Sequence, residues 1–208
     1  MAFLVDTDCS AQPVIAGILG ACVGAGLVYL FLQTSVTPPP AHPIANPFDS
    51  EYHVHADFRI FVGDQQIDLT DEVFMTSSQQ TMHKYAHLHD GNGEMKHIHL
   101  EDLTFASFLQ SLAITLTDNC LALFDKKALC TDEAQAVLLY VNQERYTEPL
   151  TQYVPVDDDR ILLYYGNPQD EGIQTYLEEI PSDACYYSGT CPERGVAPPE
   201  SCGLTCEL

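Results

Sequence analysis

Residues 52–62 read YHVHADFRIFV, and this stretch decides the fold that the sequence predicts. Apolar side chains occupy every second position from 52 to 60, which is the pattern of a β-strand with one buried face. A turn at Gly63 and Asp64 follows, and residues 67–69 read as a short return strand. The domain is therefore expected to begin with a β-hairpin.

The rest of the domain reads as strands arranged around one helix. The helix prediction rests on apolar residues at helical spacing, with Thr104 or Asp102 as the N-cap. The predicted elements are a second hairpin over 83–89 and 94–100, a helix over 103–114, a loop or short helix over 120–130, and strands over 137–141 and 160–165. This order predicts an α+β domain spanning residues 51–166.

The end of this domain carries a family resemblance. Residues 141–166, VNQERYTEPLTQYVPVDDDRILLYYG, resemble the later part of small β-grasp domains, in which a strand ending in VNG is followed by a DGD turn and a last strand. Gln143 and Asp158 stand here in place of two glycines. The resemblance implies a β-grasp-like fold, with hairpins packed on one helix. It implies no activity, because this fold carries many unrelated functions.

The N-terminal region predicts a membrane anchor after a short segment, residues 1–12. Residues 13–33 read PVIAGILGACVGAGLVYLFLQ and hold no charge over 19 consecutive residues, close to the roughly 20 that a transmembrane helix needs. No Lys or Arg precedes Arg59, so the basic start of a signal peptide is missing. Residues 34–50 contain five prolines and are predicted to be an extended linker.

Small residues inside the predicted span bear on partners. Gly20 and Gly24 have the spacing that lets two helices pack closely, so a homodimer or another membrane partner is an open alternative. Residues 19–22, LGAC, resemble a lipoprotein cleavage box, but the apolar run continues past Cys22. That continuation favours an anchor helix over lipidation.

The cysteines predict the compartment. Six of the eight lie in the second half of the chain in close pairs, which is typical of an oxidising environment. The C-terminal side of the anchor is therefore expected outside the cytoplasm, and residues 167–208 are expected to form an acidic, disulfide-pinned tail with little core of its own. The last four cysteines could instead form a metal knot. The simplest pairs are Cys120 with Cys130, Cys185 with Cys191, and Cys202 with Cys206.

The charge excludes one class of partner. The chain has 30 acidic and 8 basic residues, for a formal charge of −22. Nucleic acid and anionic lipid surfaces are repelled by such a field, whereas cations are attracted. Metal ions are therefore favoured as partners over nucleic acid.

Histidines are concentrated in the first half of the domain. Seven of the eight fall between residues 53 and 99, and six of these form three HxH pairs. Side chains at i and i+2 of a strand point to the same face, about 6.6–7 Å apart, so two imidazoles can reach one ion at about 2.0–2.1 Å. The predicted metal ligands are His53, His55, His83, His87, His89, His97 and His99.

The turn between the second and third HxH pairs decides whether they share a face. If residues 91–93 form a three-residue loop, His87 lies opposite His97 and His99 lies opposite Tyr85. All four imidazoles then point to one side of the hairpin. A loop of two or four residues would place the two pairs on opposite faces.

Imidazole ligands suit copper, zinc, iron or nickel, and we expect one or two ions of copper or zinc. The thioethers of Met75, Met82 and Met95 lie near in sequence, and such groups favour Cu(I). Nearby carboxylates are candidates for further ligands, for acceptors that orient the imidazoles, or for a general base. They are Asp57, Asp90 and Glu101.

Three functions of different class remain open at this point. The first is a membrane-anchored copper or zinc carrier, buffer or sensor; the second is a His-ligated metalloenzyme of the hydratase or hydrolase type; the third is an interaction module without metal. An anchor followed by an HxHADF strand and an HLHD…HIH hairpin also resembles uncharacterised secreted or anchored proteins of bacteria and archaea. That resemblance implies location but no activity.

Overall fold

A parallel pair of long strands forms the centre of the structure, a computed structural model that describes residues 52–77, 85–124, 126–198 and 200. The strands are β1 (Val54–Val62), β2 (Gln65–Gln66), β3 (Ala86–His87), β4 (Met95–Ile98), β5 (Ile114–Leu116), β6 (Cys120–Leu123), β7 (Leu129–Cys130), β8 (Ala136–Val141), β9 (Glu144–Arg145) and β10 (Arg160–Gly166). The helices are α1 (Phe105–Ser111), α2 (Ile173–Glu179) and α3 (Ala184–Tyr187), with 3₁₀ turns at Glu72–Phe74, Leu150–Gln152 and Pro192–Arg194.

The strands form two sheets. The larger has seven strands in the order β3-β4-β1-β10-β8-β9, with β2 paired to β1. Strands β1 and β10 run parallel, whereas β4, β2 and β8 pair antiparallel with these two. The smaller sheet contains β5, β6 and β7. This mixed arrangement confirms the predicted α+β class.

One face of the large sheet carries the main core. The even-numbered residues of β1, among them Phe58 and Ile60, point to this face and pack under α1. The ring of Phe58 meets those of Phe105 and Phe108 edge-on, with centroids 5.8 and 5.4 Å apart. Each buried side chain of this size stabilises the fold by about 1.5–3 kcal/mol, so this layer fixes which face of β1 points inward.

The C-terminal tail covers the opposite face. Phe61 and Leu162 point there and pack with Ile173 and Leu177 of α2 to form a second, smaller core. The ring of Phe61 also stacks on Tyr176 at 4.2 Å. The tail thus provides half of a core that the sequence analysis did not anticipate.

Two predicted disulfides are present. Cys120 pairs with Cys130 and Cys185 with Cys191. The first joins β6 to β7, so the segment expected to be a loop or short helix is a hairpin. The strand signal is weak because the alternation in β6 lasts only four residues. Cys202 and Cys206 lie outside the described residues.

The predicted anchor remains a prediction. Residues 1–12, the helix predicted over 13–33 and the linker predicted over 34–50 all lie outside the described residues. Among the residues that the structure does describe, no helix is long and apolar enough to cross a membrane.

The turn between β8 and β9 has an unusual backbone for its sequence. Its two central residues, Asn142 and Gln143, have φ of 52° and 70°. A two-residue hairpin loop with both residues in this left-handed region is a type I′ turn, for which Asn-Gly is preferred. Asp158 also has a positive φ, 66°.

Replacing Gln143 with Gly should therefore stabilise the protein. Removing the left-handed penalty outweighs the extra freedom of glycine in the unfolded chain, and we expect a gain of about 0.5–1 kcal/mol in the free energy of unfolding. Urea unfolding of the full-length chain in detergent would measure it. The control, Glu144→Gly in strand β9, should lose stability; a lower midpoint for Gln143→Gly would contradict the assignment of the turn.

Candidate metal centre

Strand pairing sets three histidines side by side. In the antiparallel ladder of β1 and β4, His55 lies opposite His97, and in that of β3 and β4, His87 lies opposite His97. The N–H of His99 donates to the carbonyl of Tyr85 at 2.7 Å, one step further along the same register. The register predicted from a three-residue loop is therefore confirmed, and His97 occupies the middle of the row.

The histidines form one cluster on the face that the tail covers. His53 is half-buried, while five others are almost completely buried: His55, His87, His89, His97 and His99. Ring centroids of neighbouring members lie 3.8 to 6.0 Å apart. Two imidazoles that bind one tetrahedral ion at about 2.0–2.1 Å have ring centres roughly 5 Å apart. His83 lies outside the described residues.

Four donor groups converge at one side of this cluster. His53, His55, His97 and Glu200 each offer a ligand atom, and these atoms lie within 4.8 Å of one another. His53 Nε2 is 3.4 Å from His97 Nδ1, and Glu200 Oε1 is 2.9 Å from His55 Nε2 and 3.4 Å from His97 Nδ1. Neighbouring donors of a tetrahedral zinc ion lie about 3.3 Å apart, and the two separations of 3.4 Å are close to this value.

Hydrogen bonds assign the tautomer of His55. Ser188 Oγ donates its single proton to Asp157 Oδ1 at 2.6 Å, so His55 Nδ1, 2.8 Å from the same hydroxyl, must be the donor in that contact. Neutral His55 then carries a lone pair on Nε2. That lone pair faces the Glu200 carboxylate at 2.9 Å, and two acceptors at this distance repel unless a proton or a metal ion lies between them.

Burial lowers the pKa of three of the imidazoles, those of His53, His97 and His99. Loss of solvent, followed by the neighbouring histidines, holds the pKa of His97 well below its usual 6.5 and lowers the pKa of His99 to about 3. The pKa of His53 is lowered for the same first cause. Neutral imidazole is the form that binds metals, so the cluster is prepared for ions at neutral pH.

The three carboxylates singled out in the sequence lie in different surroundings. Asp90 Oδ2 is 2.8 Å from His89 Nδ1, close enough to orient that ring. Asp57 is buried and accepts a hydrogen bond from the backbone N–H of Ala184, so it holds the start of α3; burial raises the pKa of its carboxyl to about 6. Glu101 is exposed.

The tail contributes groups that the sequence did not reveal. Glu200, 145 positions after His55, supplies the carboxylate, and Ser188 supplies the hydroxyl that orients His55. Ser188 lies inside the loop closed by the disulfide of Cys185 and Cys191, and Glu200 follows that loop. Cysteine spacing indicated a constrained tail, but nothing in the spacing of the acidic residues distinguished Glu200 from its neighbours.

A cleft of about 480 Å³ lies beside the centre. Tail residues line it, among them Tyr186, Tyr187, Val196 and Glu200. The ring of Tyr187 is 5.9 Å from that of His55. Glu200 therefore faces both the imidazoles and this cleft.

Comparisons with protein-family models, with curated proteins and with solved structures found no match to the chain. Function therefore has to be inferred from the chemistry of the cluster. Three imidazoles and one carboxylate provide four nitrogen and oxygen donors, the number that a tetrahedral divalent ion takes. Such a set can hold an ion with no position left for a substrate.

The metal-free protein should lose stability as the pH falls from 6.5 towards 4. Histidines whose pKa is lowered in the folded state bind protons only in the unfolded chain over this range, so each costs up to about 1.4 kcal/mol per pH unit. Asp57 acts in the opposite direction, since its pKa of about 6 lies above its usual 3.8, but it offsets one histidine at most.

Urea unfolding of the chelator-treated, full-length chain at several pH values would measure this slope. The variant His99→Gln should show a shallower loss, because the pKa of His99 is lowered to about 3 in the wild type. Stability that stays level or rises from pH 6.5 to pH 4 would contradict a buried, neutral cluster.

Proposed function

We propose that this protein binds a divalent transition metal, copper or zinc, through His53, His55, His97 and Glu200. The contact between His55 Nε2 and the Glu200 carboxylate, 2.9 Å apart, carries the proposal. Because Ser188 and Asp157 fix the proton of His55 on Nδ1, this pair of acceptors requires a cation. The protein would serve as a metal carrier, buffer or sensor.

A metal ion accounts for more of the geometry than a proton does. A proton between His55 and Glu200 would satisfy that one pair of atoms only. The ring nitrogens of His53 and His97 face the same carboxylate, with His53 Nε2 3.4 Å from both His97 Nδ1 and Glu200 Oε2. A divalent ion accepts all four donors and balances the carboxylate charge.

The chemistry of the donors favours copper or zinc in the divalent state. Imidazole and carboxylate suit Zn²⁺ and Cu²⁺, while Cu(I) prefers thiolate and thioether. Of the three methionines near the histidines, Met75 packs in the main core, Met95 is buried on β4 and Met82 lies outside the described residues. The four donors are imidazole nitrogens and a carboxylate oxygen, and no cysteine thiolate joins them among the described residues.

The setting proposed for this activity is extracytoplasmic, at a membrane. The disulfides of Cys120 with Cys130 and Cys185 with Cys191 support an oxidising compartment. The apolar residues 13–33 support an anchor, and the formal charge of −22 would concentrate cations near the domain.

For the fold itself we propose a β-grasp-like domain, supported by the parallel central pair of strands and the helix that covers one face of the sheet.

A hydratase or hydrolase is the second candidate, and the cleft beside Glu200 favours it. If Glu200 left the metal, a water could take its place and be activated. The Co²⁺-loaded protein would discriminate: a four-coordinate visible spectrum that is unchanged by small anions supports carriage, whereas anion-sensitive bands support an open, catalytic position.

Loss of single ligands should abolish tight binding. In competition with a chromophoric chelator for Zn²⁺, the full-length chain in detergent should bind, and His55→Ala and Glu200→Gln should weaken binding by about 100-fold or more. Glu193→Gln, an exposed carboxylate of the same tail, is the matched control and should bind like the wild type. A wild type that fails to compete, or a His55→Ala variant that competes equally well, would overturn the proposal.

The group that orients His55 should matter less, but measurably. Ser188→Ala removes the acceptor for His55 Nδ1 while leaving every donor in place, and we expect a 10- to 100-fold weaker affinity for Zn²⁺. Ser182→Ala, an exposed serine of the tail, should leave the affinity unchanged. Equal affinities for the two variants would show that the hydroxyl does not orient the imidazole.

A further inference from the structure

The histidine cluster continues on the other side of His97. His97 lies on β4, with His55 on one neighbouring strand and His87 on the other. The ring of His89 lies 3.8 Å from that of His97, and the ring of His87 lies 6.0 Å from it and 5.9 Å from that of His89. Neither His87 nor His89 belongs to the four-donor set described above.

His89 presents a nitrogen prepared for a ligand. Its Nδ1 lies 2.8 Å from Asp90 Oδ2, and a carboxylate can only accept, so the ring proton sits on Nδ1. The lone pair of Nε2 is then buried and has no hydrogen-bond partner. Buried nitrogens are rarely left in this state, whereas a carboxylate on one ring nitrogen and a metal on the other is a recurrent arrangement.

His97 also has a buried ring nitrogen without a hydrogen-bond partner. Nδ1 faces His53 and Glu200, while Nε2 is buried without a hydrogen-bond partner. Only one percent of the residue is exposed, so solvent does not satisfy Nε2. One ion bound at Nδ1 leaves this atom unexplained.

We propose that a second divalent transition-metal ion binds between His87, His89 and His97 Nε2, with His99 at its border. The inference rests on the proposed function, since His97 Nδ1 belongs to the first site. His97 then bridges the two ions as an imidazolate, and its single ring proton passes to solvent when the second ion binds. His99, whose ring lies 5.2 Å from that of His87 and 4.6 Å from that of His53, separates the sites at the open end of the row.

The number of ions per chain tests this assignment. The full-length protein in detergent would be dialysed against Zn²⁺ and the bound metal counted by elemental analysis. We expect two ions for the wild type, one for His89→Ala, one for His53→Ala, and a loss of both tight sites for His97→Ala. His42→Ala, a histidine of the proline-rich segment, is the matched control and should keep two.

A spectroscopic readout separates a shared ligand from two independent sites. With two equivalents of Cu²⁺, the wild type should show a magnetically coupled pair by electron paramagnetic resonance, and His89→Ala should show one uncoupled ion. Asp90→Asn keeps all imidazoles and should weaken the second ion about 10- to 100-fold, which guards against a His89→Ala chain that does not fold.

The outcomes distinguish this inference from the one on which it rests. A wild type without bound metal overturns both. One ion per chain that is lost in His55→Ala and retained in His89→Ala overturns the second site alone. Two ions without magnetic coupling overturn the bridging role of His97.

Discussion

The register between β1 and β4 is the constraint on which the rest of the structure depends. It places His55 opposite His97 while Ala56 lies opposite Lys96, so one face of this strand pair carries imidazoles and the other faces the main core. A slip by one residue would reverse every side chain. The layer of Phe58, Phe105 and Phe108 opposes such a slip, because it would expose these rings. Packing on one face therefore aligns the donors on the other.

The tail turns this aligned face into a closed site. Helix α2 packs on the same face as the imidazoles, and Asp57 accepts a hydrogen bond from Ala184 at the start of α3. These contacts bring Ser188 and Glu200 to His55. The disulfide of Cys185 with Cys191 limits the freedom of the loop that it closes, which lowers the entropic cost of holding Ser188 beside His55. Metal binding and docking of the tail are thereby linked.

Local patterns predicted most of the strands and three of the four converging donors. The glycine-rich turn after His89 and the HxH spacing were enough to place His87 opposite His97, whereas the pairing of β1 with β4 that brings His55 opposite His97 is a long-range contact seen only in the structure. The hairpin between Cys120 and Cys130 was missed because its strands are too short for a periodic signal. Glu200 was missed because its role comes from the path of the tail across the sheet, a long-range feature that no local spacing encodes.

Lys96 is buried because side chains of β4 alternate between the two faces of the sheet. It is fully buried next to His97, with Nζ 4.8 Å from the centre of the Phe105 ring, and burial lowers the pKa of its amine well below 10.5. The alternation that buries Lys96 also places His97 on the opposite face, with the other histidines.

X-ray absorption of the Zn²⁺-loaded, full-length protein tests the central claim most directly. We predict a shell of nitrogen and oxygen at about 2.0–2.1 Å with scattering from several imidazoles. A shell of sulfur at about 2.3 Å, or the absence of imidazole scattering, would contradict it.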